Sequence, residues 1–246
     1  QPATINSVLQ LYADLQEKPH LKQIAQKVLF MPDLINYLLC GVAATEYTIA
    51  STSGLLSSSH PGSFEAKVLD SLGIPKEWFG QVIKGGRILR KLSPRITQEL
   101  KIEPFDVIAG AGHDTAAAVL AIPYASDQPT AFISCGTWSL VGLESDQPVL
   151  SEAAYKAGLT NEGCFDGRYR LLKNTTGLWI LQELQRDWRL QGEELSFAQM
   201  AELAQAVTDN QTWINPNDAI FASPHDMEAK IKERCRLTNQ AVPQTK

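Results

Sequence analysis

Cysteine is scarce in this sequence, and its four residues lie far apart, at Cys40, Cys135, Cys164 and Cys235. No two of them have the close spacing of a zinc site, so nothing here indicates a structural metal held by thiolates. Widely spaced cysteines without partners are typical of reducing compartments. We therefore predict reduced thiols and a cytoplasmic protein.

Excess positive charge and long apolar runs are also missing. The chain has 22 Lys and Arg residues against 27 Asp and Glu, and its net charge of −5 gives no basic surface for nucleic acid. It has no apolar stretch long enough to span a bilayer and no basic-then-apolar leader. The sequence therefore predicts no nucleic-acid partner, no membrane span and no export.

The composition is that of a globular protein. Hydrophobic residues make up 44% and charged residues 20% of the 246-residue chain, enough material for one large domain or two smaller ones. The best candidate for a domain boundary is residues 123–129, a polar stretch that contains two prolines.

The most informative stretch is residues 109–115, Ala-Gly-Ala-Gly-His-Asp-Thr. Residues 106–109 predict a short buried strand, the glycines a tight turn, and residues 115–120 a helix. At such a junction the helix dipole favours an ionised carboxylate, and the glycines let a substrate approach the backbone. Asp114 is therefore a candidate general base for a substrate hydroxyl. The alternative is a plain helix N-cap, a position that Asp favours.

A second motif follows after a short crossover. Residues 130–142 predict two strands around a turn at Cys135-Gly136-Thr137. Such a turn can present backbone N–H groups and a hydroxyl to an anion, as phosphate-binding loops do. The alternative is an ordinary β-hairpin.

A third stretch, residues 176–188, predicts a helix. Asn174 and Gln182 are eight positions apart, a little over two helical turns, which would place both side chains on one side of that helix. Taken alone, these residues favour a helix cap and a solvated side chain.

Together these motifs resemble the FGGY family of carbohydrate kinases. The resemblance rests on residues 112–116, 134–140 and 173–182, and the stretches 30–41 and 160–163 fit it as well. It extends over nearly the whole chain and is closest to the members that act on L-rhamnulose.

The resemblance implies an α/β protein with the two-lobed actin-like ATPase fold, also called ribonuclease H-like, of which this chain contains only a part. Residues 1–122 would form the C-terminal part of the N-terminal, sugar-binding lobe. Residues 123–129 would form the hinge, and residues 130–246 the first part of the C-terminal, nucleotide-binding lobe.

The resemblance also implies an enzyme of L-rhamnose catabolism, a kinase that uses ATP and Mg²⁺ to phosphorylate L-rhamnulose to L-rhamnulose 1-phosphate. The alternative substrates are other ketoses: L-fuculose, xylulose or ribulose. No residue is predicted as a metal ligand. Matched residue by residue, the catalytic base would be Asp114, the sugar ligands His113, Asp114, Thr115 and Asn174, and the nucleotide ligands Gly136, Thr137 and Gln182.

Both ends of the chain differ from the family pattern. Family members are considerably longer, open with a strand and a Gly-rich phosphate hairpin, and close with a Gly-Gly-Gly turn that holds the adenosine. Neither element occurs in this sequence. We expect the chain to be a central portion of such a kinase and to be inactive by itself.

Two other classes of function fit some of these residues. A hydrolase could use Cys135 or Ser139 with His113 and Asp114. However, His and Asp residues adjacent in a turn point apart and rarely form one triad, and no nucleophile-elbow motif precedes either candidate. A non-catalytic ligand-binding module is the other alternative, and such a module has no need of a base at Asp114.

Overall fold

The computed structural model describes residues 6–58, 60, 62–124, 130–209 and 212–245. Within these ranges it is an α/β structure. The helices are α1 (Ser7–Glu17), α2 (Leu21–Ile24), α3 (Met31–Cys40), α4 (Tyr47–Ala50), α5 (Ala66–Leu72), α6 (Pro94–Leu100), α7 (Asp114–Leu120), α8 (Glu152–Lys156), α9 (Trp179–Leu190), α10 (Phe197–Gln205) and α11 (Met227–Leu237). The strands are β1 (Thr45–Glu46), β2 (Val82–Ile83), β3 (Ile88–Lys91), β4 (Asp106–Ile108), β5 (Ala131–Cys135), β6 (Trp138–Ser145), β7 (Thr160–Gly163) and β8 (Tyr169–Thr176).

The chain divides into two compact units. Unit 1 comprises Gln1–Phe132 and Gly142–Lys173, and unit 2 comprises Ile133–Val141 and Asn174–Lys246. Most of the predicted hinge at residues 123–129 lies outside the described residues, which include only 123 and 124 of it. The predicted division into lobes stays a prediction.

The strands form one four-stranded sheet and two strand pairs. The larger sheet has the order β5-β6-β8-β7. In unit 1, β1 pairs with β2 in parallel and β3 with β4 antiparallel. The antiparallel register of β7 and β8 places Glu162 directly opposite Arg170.

Among its described residues, unit 1 has two apolar clusters. Val107 alternates with exposed Asp106 and Ile108, as expected for a strand with one buried face, and packs with Cys40 and Leu92. This cluster anchors the strand that leads to Asp114. The larger cluster joins α1 and α5 to the segment after α5, and its buried members are Val8, Leu15, Leu55, Leu69, Ile74, Trp78 and Phe79.

Unit 2 has a single core cluster among its described residues. Ile180, Leu184 and Trp188 recur at four-residue intervals and so share one face of α9. That face packs against Met200, Phe221 and Met227. Across the described part of the chain, no helix is both long enough and apolar enough to span a membrane.

Candidate active site

Asp114 is the first residue of α7 and follows the turn that ends β4. A strand and a helix are present where they were predicted, but the strand is buried at Val107 alone, and the connecting residues 109–112, called the turn here, have no regular structure. The N-cap alternative for Asp114 is wrong, because the backbone of His113 is still extended (φ −89°, ψ 125°) and His113 therefore occupies the cap position. The Asp114 side chain is 96% exposed, so its carboxylate is open to a ligand.

The exposed carboxylate is oriented by its neighbour Thr115. Asp114 Oδ1 accepts a hydrogen bond from the Thr115 N–H at 2.6 Å and lies 3.4 Å from the Thr115 hydroxyl. Thr115, Ala116 and Val119 are buried, which anchors α7 in unit 1. Asp114 therefore projects from an element that is fixed by packing.

The turn before Asp114 is held by a buried carboxylate and a buried hydroxyl. Glu46 Oε2 accepts a hydrogen bond from the Gly112 N–H at 2.9 Å. The Thr48 hydroxyl oxygen accepts one from the His113 N–H at 3.1 Å. Both N–H groups that immediately precede Asp114 therefore have buried acceptors.

His113 lies against a buried ion pair. Arg170 Nη2 is 3.1 Å from His113 Nδ1 and 3.2 Å from Glu162 Oε2. Arg170 is completely buried, and Glu162 is buried as well. Because β7 and β8 place Glu162 and Arg170 in register, the ion pair is a cross-strand pair that belongs to the sheet.

His113 is neutral at ordinary pH. Burial, followed by the charge of Arg170, lowers the pKa of His113 to about 4, and the nearby Asp114 carboxylate only partly opposes this. An arginine can only donate, so Nδ1 accepts from Arg170 and the imidazole proton is on Nε2. Nε2 lies 3.5 Å from Asp114 Oδ1. The neutral ring therefore presents an N–H group beside the exposed carboxylate.

We expect His113 to make the stability of the chain depend on pH. The unfolded chain binds this proton below the ordinary pKa of 6.5, whereas folded His113 does not bind it until about pH 4. Stability should therefore fall as the pH drops between those two values. Replacing His113 by asparagine should remove up to about 3 kcal/mol of this dependence, which urea unfolding at about pH 7 and about pH 4.5 would measure.

Asp33 makes the stability of the chain depend on pH in the opposite direction. Burial raises the pKa of Asp33 from 3.8 to about 6, so its contribution to stability is present at low pH and lost as the pH rises through 6. Because Asp33 is present in both proteins, its contribution cancels when the parent and His113→Asn are compared. His20→Asn, the same change at an exposed histidine, is the control. Parallel pH curves for the parent and His113→Asn would contradict the expected role of His113.

In unit 2 the predicted turn between β5 and β6 is present. Gly136 and Thr137 are exposed there. The Thr137 hydroxyl lies 3.4 Å from both amide atoms of Gln182, on α9, so the structure brings together the three residues that the resemblance assigns to the nucleotide. A Cβ atom added to Gly136 would meet nothing closer than the Trp138 carbonyl oxygen at 3.5 Å, so the outer side of the turn is open.

The start of α9 is fixed to this turn by backbone hydrogen bonds. The Gly177 N–H donates to the Thr137 carbonyl at 3.0 Å, and the Leu178 N–H donates to the Gly136 carbonyl at 2.8 Å. A Cβ atom on Gly177 would lie 2.5 Å from the Gly136 carbonyl oxygen and 2.5 Å from Ser139 Oγ. Glycine is required at position 177 by this close approach.

Asn174 lies on strand β8 in unit 2 and is exposed. The helix predicted over residues 176–188 begins only at Trp179, so the prediction that Asn174 and Gln182 share one helix face is wrong. Thr175 and Thr176 are β-branched and favour the strand, which continues through Thr176.

Four residues of the site were not named as site residues from the sequence: Glu46, Thr48, Glu162 and Arg170. The last two carry a usable signal, because a three-residue hairpin loop at 165–167 that ends in Gly167 (φ 95°) pairs residue 162 with residue 170. Glu46 lacks such a signal, since the turn residue it binds, Gly112, is 66 positions away.

The exposed turn of unit 2 carries groups that suit a phosphate, whereas the described residues of neither unit bring together the ligands of a metal ion. The Thr137 hydroxyl and the Gln182 amide are donors beside a glycine whose outer side is open. In the described ranges, no three His, Cys, Asp or Glu residues come together in a way that could hold a metal ion.

The sequence matches two domains that occur together in one family. Residues 3–121 match the N-terminal domain of the FGGY family of carbohydrate kinases, and residues 131–244 match its C-terminal domain. A rhamnulokinase of Bacteroides thetaiotaomicron is 38% identical over 244 residues, covering 99% of this chain and 49% of the relative. A rhamnulokinase of Enterobacter sp. is 36% identical over 246 residues, covering 98% and 47%. The chain spans about half the length of these curated relatives.

A solved structure with the same fold is the ligand-bound xylulose kinase from Lactobacillus acidophilus. The two structures superimpose with a TM-score of 0.65 at 20% identity. The superposition covers 83% of this chain and 40% of the xylulose kinase chain. The predicted fold class is confirmed, because the chain contains part of the actin-like ATPase fold of such sugar kinases.

Proposed function

The chain belongs to the FGGY family of carbohydrate kinases, and we propose that the protein containing it uses ATP to phosphorylate L-rhamnulose to L-rhamnulose 1-phosphate. The choice of ketose is supported by the two curated relatives, both rhamnulokinases. The structural observation that carries the proposal is the exposed Asp114 carboxylate beside the neutral imidazole of His113. Below, "full-length protein" means a protein of the relatives' length that contains this chain.

In this proposal Asp114 accepts the proton of the attacking ketose hydroxyl. An exposed carboxylate on a fixed helix suits that role, because the substrate can reach it without displacing protein groups. His113 donates a hydrogen bond from Nε2 to a sugar oxygen, and its neutrality avoids a full ion pair that would make Asp114 a weaker base. The exposed amide of Asn174 is a further proposed sugar ligand.

The nucleotide supplies the γ-phosphoryl group, and Mg²⁺ would neutralise charge on the phosphates. Gly136, Thr137 and Gln182 are proposed to bind the nucleotide, with the Thr137 hydroxyl and the Gln182 amide as donors. Mg²⁺ binds largely through phosphate oxygens and water, and no residue of this chain is assigned to it.

The proposed activity is that of the full-length protein. Residues 1–122 would belong to the sugar-binding lobe and residues 130–246 to the nucleotide-binding lobe, with the hinge at 123–129 between them. Because the chain spans about half of its curated relatives, we expect it to be inactive by itself. A cytoplasmic location stays a prediction.

Gly136 offers a test of the nucleotide site that leaves the fold alone. An alanine Cβ at this position meets the protein only at ordinary contact distance, so Gly136→Ala should keep the parent's melting temperature. If a phosphate approaches the turn, the same methyl group should weaken nucleotide affinity about tenfold, or roughly 1.4 kcal/mol. Calorimetric titration of the full-length protein with a non-hydrolysable ATP analogue and Mg²⁺ measures this affinity.

Gly177→Ala is the matched contrast for Gly136→Ala. Its methyl group would collide with the backbone of the turn, so it should lower the melting temperature. Unchanged nucleotide affinity in Gly136→Ala would show that the turn has only a structural role.

A thermal-shift panel of ketoses, with and without the ATP analogue, tests the proposed substrate in the full-length protein. L-rhamnulose should raise the melting temperature most, because at equal concentration the ligand that binds most tightly stabilises the folded protein most. A larger shift with L-fuculose, xylulose or ribulose would identify another ketose as the substrate. The absence of a shift with every ketose would contradict the proposed function.

A further inference from the structure

We propose that Glu46 and Thr48 are positioning residues that aim Asp114 at the substrate. This inference rests on the proposed function, because it assigns the pair a part in the same reaction. Neither side chain reaches the open face of the site, since Glu46 is 1% exposed and Thr48 completely buried. They act through the backbone of the turn that carries Asp114.

Glu46 is the centre of the arrangement. Its carboxylate accepts hydrogen bonds from the Thr48 N–H at 3.0 Å, from the Ile49 N–H at 3.2 Å and from the Thr48 hydroxyl at 2.6 Å. The first two of these cap the short helix α4. A further bond, from the Gly112 N–H at 2.9 Å, crosses to the Asp114 turn and has no part in capping.

The Thr48 hydroxyl is the second link to the turn. It donates to Glu46 Oε2 and accepts from the His113 N–H. These two bonds use the single proton of the hydroxyl and one of its two lone pairs. Two consecutive amides, those of Gly112 and His113, are thereby fixed by one carboxylate–hydroxyl pair. The backbone direction at Asp114, the next residue, is set by these two bonds.

The pair is itself held rigidly. The Glu46 N–H donates to both carboxylate oxygens of Asp33, at 3.1 and 3.2 Å, and Asp33 is only 3% exposed. Gly112 allows the close approach: a Cβ atom there would lie 3.0 Å from Glu46 Oε2 and 3.1 Å from the Ile49 side chain. Any side chain larger than that of glycine at position 112 would therefore crowd the buried Glu46 carboxylate.

Thr48→Val tests the inference in the full-length protein, because valine keeps the shape and removes only the hydroxyl. We expect kcat for ketose phosphorylation to fall roughly 10- to 100-fold, the scale on which small misplacements of a reacting group act. The KM for ATP should stay at the parent value. Amide exchange at His113 should become roughly tenfold faster, because its N–H loses its acceptor.

Two further variants separate positioning from a general structural effect. Thr48→Ser restores the hydroxyl and should recover most of the lost turnover. Thr52→Val removes a hydroxyl four residues later that donates to the Ile49 carbonyl, and it should retain the parent's kcat. If Thr48→Val fails to fold, Glu46→Gln replaces it, with the same expected loss of kcat.

Failure of this inference is distinguishable from failure of the proposed function. A parent protein that phosphorylates no ketose would contradict the proposed function. Faster amide exchange at His113 in Thr48→Val would still show that the Thr48 hydroxyl holds the backbone of the turn. A parent that is active together with a Thr48→Val or Glu46→Gln variant of unchanged kcat would overturn the inference. Equal losses in Thr48→Ser and Thr48→Val would overturn it as well.

Discussion

Asp114→Asn in the full-length protein should lower kcat for ketose phosphorylation by about 10²- to 10⁴-fold, the range in which loss of a general base falls. Asparagine has nearly the same shape and can still accept a hydrogen bond from the sugar, so sugar binding should stay measurable. It cannot take the proton of the attacking hydroxyl. The measurement is kcat beside a sugar titration and a melting curve.

The stability of Asp114→Asn should stay within about 1 kcal/mol of the parent, since the side chain is almost fully exposed. Asp106→Asn is the matched control: this aspartate lies on the strand before the same turn, is half-exposed and pairs only loosely with Lys91 at 4.0 Å. It should keep the parent's kcat. Turnover of Asp114→Asn within a few-fold of the parent would exclude Asp114 as the base.

Arg170→Met should produce the largest loss of stability, about 3–5 kcal/mol, because it removes the arginine that neutralises the buried Glu162 carboxylate. Methionine fills much of the space but cannot donate a hydrogen bond. His113 Nδ1 loses its donor too, so its ring is no longer held in the tautomer that presents Nε2–H to Asp114. Urea unfolding of the chain measures the loss of stability.

Arg168→Met is the control for Arg170→Met, two residues earlier in the chain. Its guanidinium is partly exposed and pairs with Asp166 and Glu144, an arrangement that contributes about 0–1 kcal/mol. The double variant Arg170→Met with Glu162→Gln should recover part of the loss, since it removes the orphaned charge. Equal stability of the Arg170→Met and Arg168→Met variants would contradict a structural role for the buried ion pair.

Local patterns in the sequence predicted the elements that carry the site. The apolar run before the glycines predicted β4, the alanine-rich segment predicted α7, and residues 130–142 predicted the hairpin with its exposed turn. Each of these signals lies within a few residues of the structure it specifies, so periodicity and turn chemistry were sufficient. The resemblance to a family supplied the fold class that such local signals do not determine.

The errors arose where neighbouring elements compete. The helix α7 begins at Asp114, one residue before its predicted start at residue 115, and His113 occupies the N-cap position. Pairing in the sheet extended β8 through Thr176, at the expense of the predicted helix. The supports at Glu46 and Thr48 depend on contacts across more than sixty residues, and no local pattern encodes such contacts.

ADP production by the full-length protein, measured against a panel of ketoses at saturating ATP and Mg²⁺, tests the central claim most directly. The account predicts turnover that depends on the added sugar, is highest in kcat/KM for L-rhamnulose, and falls by about 10²- to 10⁴-fold in Asp114→Asn. ADP production that no ketose stimulates, or that Asp114→Asn retains within a few-fold of the parent, would contradict it.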